Sequence, residues 1–245
     1  MTLFGSDPIR GELLSAERLE QLAASIARHR VADGETAGAA LLARVKDNGR
    51  VLLRCYRALA SVVNEERATM PAAEWLVDNF YIVEDVLNEV RTDLPPGFYR
   101  ELPILSDGPL RDAPRAVGLA WAYIEHTDSR FEATSTQRFV AAFQKVEPLL
   151  IREIWAVPIA LRLILLENLR RLSEEIVSAR AARMEADRLA DTLLGQGGRP
   201  ADPHAFERVG DEVLTAAFAV HLAQRLRDQD PDTTPALAWL ELRLA

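Results

Sequence analysis

The chain is 245 residues long, 49% hydrophobic, 7% aromatic and 27% charged, with a single cysteine and a formal charge of −8. That length buries a core without covalent staples, and the lone Cys55 excludes an internal disulfide. Acidic residues outnumber basic ones by 37 to 29, which speaks against a phosphate-neutralising surface and so against nucleic acid as a partner.

Apolar residues return at three- and four-residue steps almost throughout, so the reading is an all-α protein: a multi-helix bundle with one long kinked helix and a Pro-rich ordered loop. A first helix is expected from Ser15, whose hydroxyl can cap the free amides, with Leu19, Leu22, Ala23 and Ile26 on its buried stripe. It should end near Ala32-Asp33-Gly34. Helix follows over 36–45 and 51–69, separated or kinked at Asp47-Asn48-Gly49, a run with strong turn chemistry. Pro71 suits the first position of another helix, where its missing amide costs nothing. Leu76, Phe80, Val83, Leu87 and Val90 form that helix's stripe, and Trp75, Asn79, Ile82 and Val86 widen it enough to predict burial against two neighbours.

Prolines 95, 96, 103, 109 and 114 and glycines 97 and 108 break the pattern over 92–114 and leave a long ordered loop, a kind of segment that often carries function. Helix resumes over 115–125, breaks at 126–130, and restarts where Thr134 and Gln137 offer a capping box. The stretch 148–194 reads as one helix about 70 Å long, kinked at Pro158. Its apolar run 154–166 is too short for the roughly 20 residues of a bilayer span and reads as buried core. Gly195-Gln196-Gly197-Gly198, with Pro200 and Pro203, marks a linker, and two helices follow at about 203–228 and 234–245. The expected organisation is a main helical domain over 1–194, a linker over 195–203 and a helical pair over 204–245 that continues into further domains, because the pattern stops without an end signal.

Little in the sequence carries chemistry of its own. Histidines 29, 126, 204 and 221 lack partners at metal-ligand spacing, so no metal site is expected. His126, Asp128 and Ser129 are too close in sequence to take the three places of a triad, and read as a polar helix break. Asp228-Gln229-Asp230-Pro231-Asp232 fails as a calcium loop because Thr233 and Trp239 stand where a glycine and a bidentate glutamate belong. The 195–198 glycines trail a helix instead of leading into one, so they do not cradle phosphate. On the helix from Pro71, Glu74, Asp78, Asp85 and Glu89 share one side, and eight of the sixteen aromatic residues lie between 75 and 131. Aromatic rings beside carboxylates and amides can hold a sugar or a neighbouring domain. The candidate contact residues are therefore Trp75, Asp78, Asn79, Tyr81, Asp85, Phe98, Tyr99, Arg100, His126, Asp128 and Arg130. A glycan-active enzyme built on Asp78, Asp85 or Glu153 is the remaining catalytic reading.

Several blocks together resemble a known family. They are W-L-V-D-N-F-Y (75–81) with V-E-D (83–85), D-L-P-P-G-F-Y-R-E-L-P (93–103), D-G-P-L (107–110), P-R-A-V-G-L-A-W-A (114–122), H-T-D-S-R-F (126–131), E-I-W-A-V-P-I-A-L-R (153–162), L-L-E-N-L-R-R-L (165–172) and A-F-A-V-H-L-A-Q-R-L-R-D-Q-D-P (217–231). The chain is similar in these, from about Pro8 onward, to the N-terminal region of bacterial cyclic β-1,2-glucan synthases; Arg111-Asp112-Ala113 departs from the more Gly- and Tyr-rich turn expected there. The resemblance implies a large inner-membrane enzyme that polymerises glucose from UDP-glucose, with its transferase, cyclising and phosphorylase-like domains downstream. It also implies that UDP-glucose and a divalent metal belong to those domains, and that this chain holds no cofactor. Its partners would then be the downstream domains and β-1,2-glucan. The start lacks the charged and apolar regions of a secretory signal. The expected place is the cytoplasmic side of the inner membrane, without a span in this chain and soluble when made alone. A free-standing helical adaptor derived from such a module is the alternative.

Overall fold

The structure, a computed structural model, describes residues 5–32, 37–66, 71–93, 102–196, 200–227 and 234–244. Among them are nine α-helices and one two-stranded sheet, so the protein is mostly α. The chain divides into two compact units, Met1–Glu174 and Glu175–Ala245, and the division falls inside a continuous helix.

In the first unit, α1 (Ala16–Ile26) starts as expected: the Ser15 hydroxyl accepts a hydrogen bond from the Arg18 amide at 3.4 Å, and Leu19, Ala23 and Ile26 are buried. β1 (Val31–Ala32) follows. α2 (Ala37–Glu66) then runs without interruption through Asp47-Asn48-Gly49, correcting the expected break. The reason is tertiary. Leu41, Val45, Asn48, Leu52, Cys55 and Leu59 are all buried and step by four, three, four, three and four residues, so one apolar stripe crosses the turn-forming run and holds it helical. Gly49 is useful there, since a β-carbon on it would lie 3.2 Å from the Arg91 guanidinium and 3.4 Å from Leu87.

The helix expected from Pro71 is two helices, α3 (Pro71–Asp78) and α4 (Phe80–Asp93), both packed on α2. Asn79 makes the break: its side-chain amide donates to the Trp75 carbonyl at 2.8 Å, a local bond that competes with the helix. The stripe Leu76, Phe80, Val83, Leu87 and Val90 is buried across it, and Phe80 stacks on Tyr56 with ring centroids 4.4 Å apart. The widening of that stripe is corrected, because Trp75 is 51% exposed and Ile82 40%. The buried stripe of the pair faces α2.

β2 (Ile104–Leu105) pairs antiparallel with β1, Val31 opposite Leu105 and Ala32 opposite Ile104. The Asp107 carboxylate fastens the loop beyond it, lying 2.8 Å from His29 Nδ1 and accepting from the Arg30 amide at 3.2 Å. Gly108 is required at this point: its φ is +78°, and a β-carbon would come within 2.7 Å of the His29 ring. α5 (Arg115–His126) is the centre of the unit, with Ala116 through Ile124 all buried. α6 (Ala133–Gln144) begins one residue before Thr134, so the Thr134–Gln137 capping box does not form; the Thr136 hydroxyl bonds the Glu132 carbonyl at 2.8 Å instead. α7 (Ile151–Leu194) contains Pro158, and most of its 154–166 run is buried, as the composition predicts. No helix among the described residues is long and apolar enough to cross a membrane.

In the second unit, the last turns of α7 pack with α8 (Ala216–Leu226) and α9 (Thr234–Leu244) around Ala186, Leu189, Ala190, Leu193, Phe218 and Leu222. Gly195 ends α7 with φ +67°, and the Gln196 amide reaches back to the Asp191 carbonyl at 2.9 Å. The helix expected over 203–228 is corrected. It is two 3-10 turns, Ala205–Arg208 and Asp211–Val213, then α8, which the Thr215 hydroxyl caps by accepting from the Phe218 amide at 3.3 Å.

Candidate functional site

The candidate residues read from the sequence fall in two places. Trp75, Asp78, Tyr81 and Asp85 lie exposed on α3 and α4, with Asn79 half-buried at the break between them. His126 at the last position of α5 and Asp128 and Arg130 in the turn after it line a cleft of about 400 Å³ with Leu13, Tyr123 and Ser135. Phe98, Tyr99 and Arg100 lie outside the described residues, as does the 228–232 aspartate run. The 126–130 turn is tightly held. His126 Nδ1 sits 2.7 Å from the Glu12 carbonyl, Ser129 Oγ accepts from Asn168 Nδ2 at 2.8 Å, and Asp128 and Ser129 both take positive φ, 52° and 59°. Two such non-glycine residues in succession persist only where neighbours fix them. Here the neighbours are the N-terminal segment and α7. With His126 and Ser129 turned to different partners, these side chains form no relay.

Apart from Glu153, which the catalytic reading takes up, the sequence reading leaves unassigned a buried polar spine along α7. Glu153, fully buried, takes a bidentate pair of hydrogen bonds from Arg115 at 2.8 and 2.6 Å and a third from the Leu150 amide at 2.9 Å. Glu167 accepts from Arg44 at 2.8 and 2.6 Å and from Arg171 at 2.7 Å. Burial works to raise the Glu167 carboxyl, but the hydrogen bonds and charges of those two guanidiniums outweigh it and hold it below the ordinary range. The same bond lifts Arg44 above its ordinary value. Asn168 clasps the N-terminal segment through the Ile9 amide at 2.7 Å, and Arg171 donates to the Asp7 carbonyl at 2.8 Å. The L-L-E-N-L-R-R-L block is thus a clamp that ties α2, the chain start and the 126–130 turn to one helix. Its signal in the sequence is charge of both signs at core positions of an apolar stripe. Glu153 is wholly engaged by Arg115 and an amide, so the catalytic reading loses that carboxylate as a free acid or base. Cys55 is buried and its thiol is pushed up by burial, away from the reactive thiolate.

One concave surface was not foreseen. A groove of about 700 Å³ runs between α6 and α7, lined by Val140, Ala141 and Gln144 on one wall and Ile154, Pro158 and Leu161 on the other. Its apolar character continues onto Leu150, Ile151 and Trp155 at the start of α7, which are 45%, 76% and 71% exposed. Contiguous exposed apolar surface of this kind marks an interaction site more often than a bare exterior.

No family model matches the sequence. Among curated proteins, the chain is 41% identical over 207 residues to a cyclic β-(1,2)-glucan synthase, NdvB, of Rhizobium meliloti (strain 1021), an alignment that covers 82% of this chain. The chain spans only 7% of the length of that relative. The likeness carried by the helical blocks and the identity over most of the chain agree: this protein matches one region of a cyclic β-(1,2)-glucan synthase.

Proposed function

We propose that this chain is the N-terminal, non-catalytic helical module of a cyclic β-(1,2)-glucan synthase, lying on the cytoplasmic side of the inner membrane and packing on the domains that carry the chemistry. The observation that supports it is the match itself, 41% identity across most of this chain against a small fraction of a synthase. The use of charge inside the module agrees with this role. Its buried carboxylates, Glu153 and Glu167, are consumed by arginines in holding helices together, which is what a scaffold requires. On this reading UDP-glucose and a divalent metal are handled by the other domains. The exposed Trp75 and Tyr81 beside Asp78 and Asp85, together with His126, Asp128 and Arg130, are the surfaces for glucan or a neighbouring domain.

Two measurements test this. The isolated 245-residue chain, mixed with UDP-glucose and Mg²⁺, should transfer no glucose, and a synthase lacking the matched region should lose cyclic glucan output in isolated membranes. Turnover by the isolated chain would overturn the non-catalytic role, and full output from the deleted synthase would overturn the module role. An immunoblot of fractionated source cells separates the adaptor: a soluble band near 27 kDa in place of a much larger membrane band would put the free-standing protein first.

A further inference from the structure

We infer that the α6–α7 groove is the seat of one amphipathic helix with an aliphatic face and an acidic flank, supplied by the remainder of the synthase polypeptide. This rests on reading the chain as a synthase module. The shape of the groove sets the kind of occupant. On α6 the lining residues Gln137, Val140, Ala141 and Gln144 are spaced i, i+3, i+4, i+7; on α7, Ile154, Pro158, Leu161 and Leu165 continue along one face. Two helical ridges side by side leave a trough into which the ridge of a third helix fits. The α7 wall, from Ile154 to Leu165, is about 16 Å long, which is three turns of an occupant. A flat lipid surface has no use for such a trough.

Charge chooses the flank. The charged side chain in the groove lining is a cation, Arg162, and the apolar extension at the start of α7 is flanked by another, the exposed Arg152. Arg162 reaches Glu89 at 3.4 Å on one side but stays half-exposed. The nearby carboxylate Glu147 leans toward Arg115, 3.9 Å away. Carboxylates along the edge of an incoming helix therefore meet complementary charge, and a basic edge meets repulsion. One polar detail lies in the wall as well. Pro158 has no N–H and so cannot make the intrahelical bond that a residue at its place would give to the Ile154 carbonyl. The source follows from proportion: the match occupies 7% of a synthase, so most of such a polypeptide is available to supply the helix at high effective concentration.

The test uses the 245-residue chain and, as probes, overlapping 20-residue fluorescent peptides that cover the Rhizobium meliloti synthase outside the matched region. Binding is read by anisotropy. A peptide of amphipathic pattern with Asp and Glu on its flank is expected to bind, and Ala141→Glu, at an exposed groove position, should weaken it at least tenfold with helical circular dichroism unchanged. Charge is read separately at exposed Gln144: Gln144→Lys should tighten binding about twofold to fivefold and Gln144→Glu loosen it by a like factor, the range of a surface ion pair. Binding by no peptide, or binding indifferent to all three substitutions, overturns the inference. So does a dimer in light scattering that Ala141→Glu dissolves, which would make a second copy the occupant, or co-sedimentation with anionic vesicles in place of peptide binding. Failure here is separable from failure of the module reading. If deleting the whole region abolishes glucan output in membranes while no peptide binds, the module stands and the groove assignment falls.

Discussion

α7 builds two cores in two different ways. Over residues 151–174 it buries Glu153, Glu167, Asn168, Arg171 and Ser173 among aliphatic neighbours, whereas over 175–194 its fully buried residues are Ala186, Leu189, Ala190 and Leu193. Apolar packing is non-directional and tolerates repacking as long as volume is kept. A bidentate arginine–carboxylate pair is directional, and each half is expensive to leave alone in the core. The first half therefore dictates which segments meet: Glu153 demands Arg115, Glu167 demands Arg44 and Arg171, and Asn168 demands the backbone of Ile9. The second half asks only that its apolar stripe be covered.

The sharpest way to break this comparison is Glu153→Leu, which strands the Arg115 guanidinium in the core and should cost about 3–5 kcal/mol in urea unfolding. The double variant Arg115→Met with Glu153→Leu should recover most of that loss, because removing both charges also removes their desolvation cost. If the double variant is no better than the single one, the pair contributes packing and not charge. Phe80→Ala supplies the apolar reference in the same unit. Phe80 is 7% exposed and stacked on Tyr56, so its loss should cost about 3–5 kcal/mol at any pH, while Trp75→Ala, half-exposed on the same pair of helices, should cost under about 1 kcal/mol. A Trp75 effect as large as that of Phe80 would mean that the widened face is covered after all.

Acid distinguishes the two halves without mutation. The Glu167 carboxyl is held below its ordinary value of 4.5, so it binds its proton less readily folded than unfolded. Its contribution is thus complete above about pH 4.5 and is lost as the pH falls through the lowered folded value. Hydrogen exchange should show protection over 163–173 fading below that pH while 186–193, with no buried carboxylate, keeps its protection. Equal fading in both segments would remove the distinction.

The parts of this fold that are legible in the sequence are those set by local chemistry agreeing with packing. Ser15 caps α1, Pro71 opens α3, and the stripe from Leu76 to Val90 is the buried one. The misread parts are places where a local signal and a tertiary one conflict. Asn79 interrupts a stripe that continues beyond it, Thr134 offers a cap that α6 does not use, and Gly210 and Thr215 divide what reads as one helix over 203–228. The groove is invisible for a different reason. Val140, Ile154 and Leu161 look like ordinary core positions, and only the assembled helices reveal that no described residue of the first unit fills the space between them. The charged clamp is half legible: Glu167, Asn168 and Arg171 stand out on an apolar stripe, but their partners Arg44 and Ile9 lie more than a hundred residues away.

The smallest effect concerns the place where the turn signal misleads. Asn48 occupies a core position of α2, is fully buried, and neither its Nδ2 nor its Oδ1 has a hydrogen-bond partner. An amide in that state costs about 1–3 kcal/mol relative to one in water, and asparagine is also a poorer helix former than leucine. Asn48→Leu should therefore raise stability despite some crowding, by about 1 kcal/mol net, which for a chain of this size is about 2–4 °C in Tm. The crowding is eased by Gly49, which contributes no side chain beside Leu87. A lower Tm would show instead that water reaches the amide and satisfies it. Either result bears on how the unit is specified, since a polar residue on an apolar helix stripe fixes register at the expense of stability. Asn48→Leu, if stabilising, leaves Arg115–Glu153 and the Glu167 clamp as the features that decide how the helices of this unit meet.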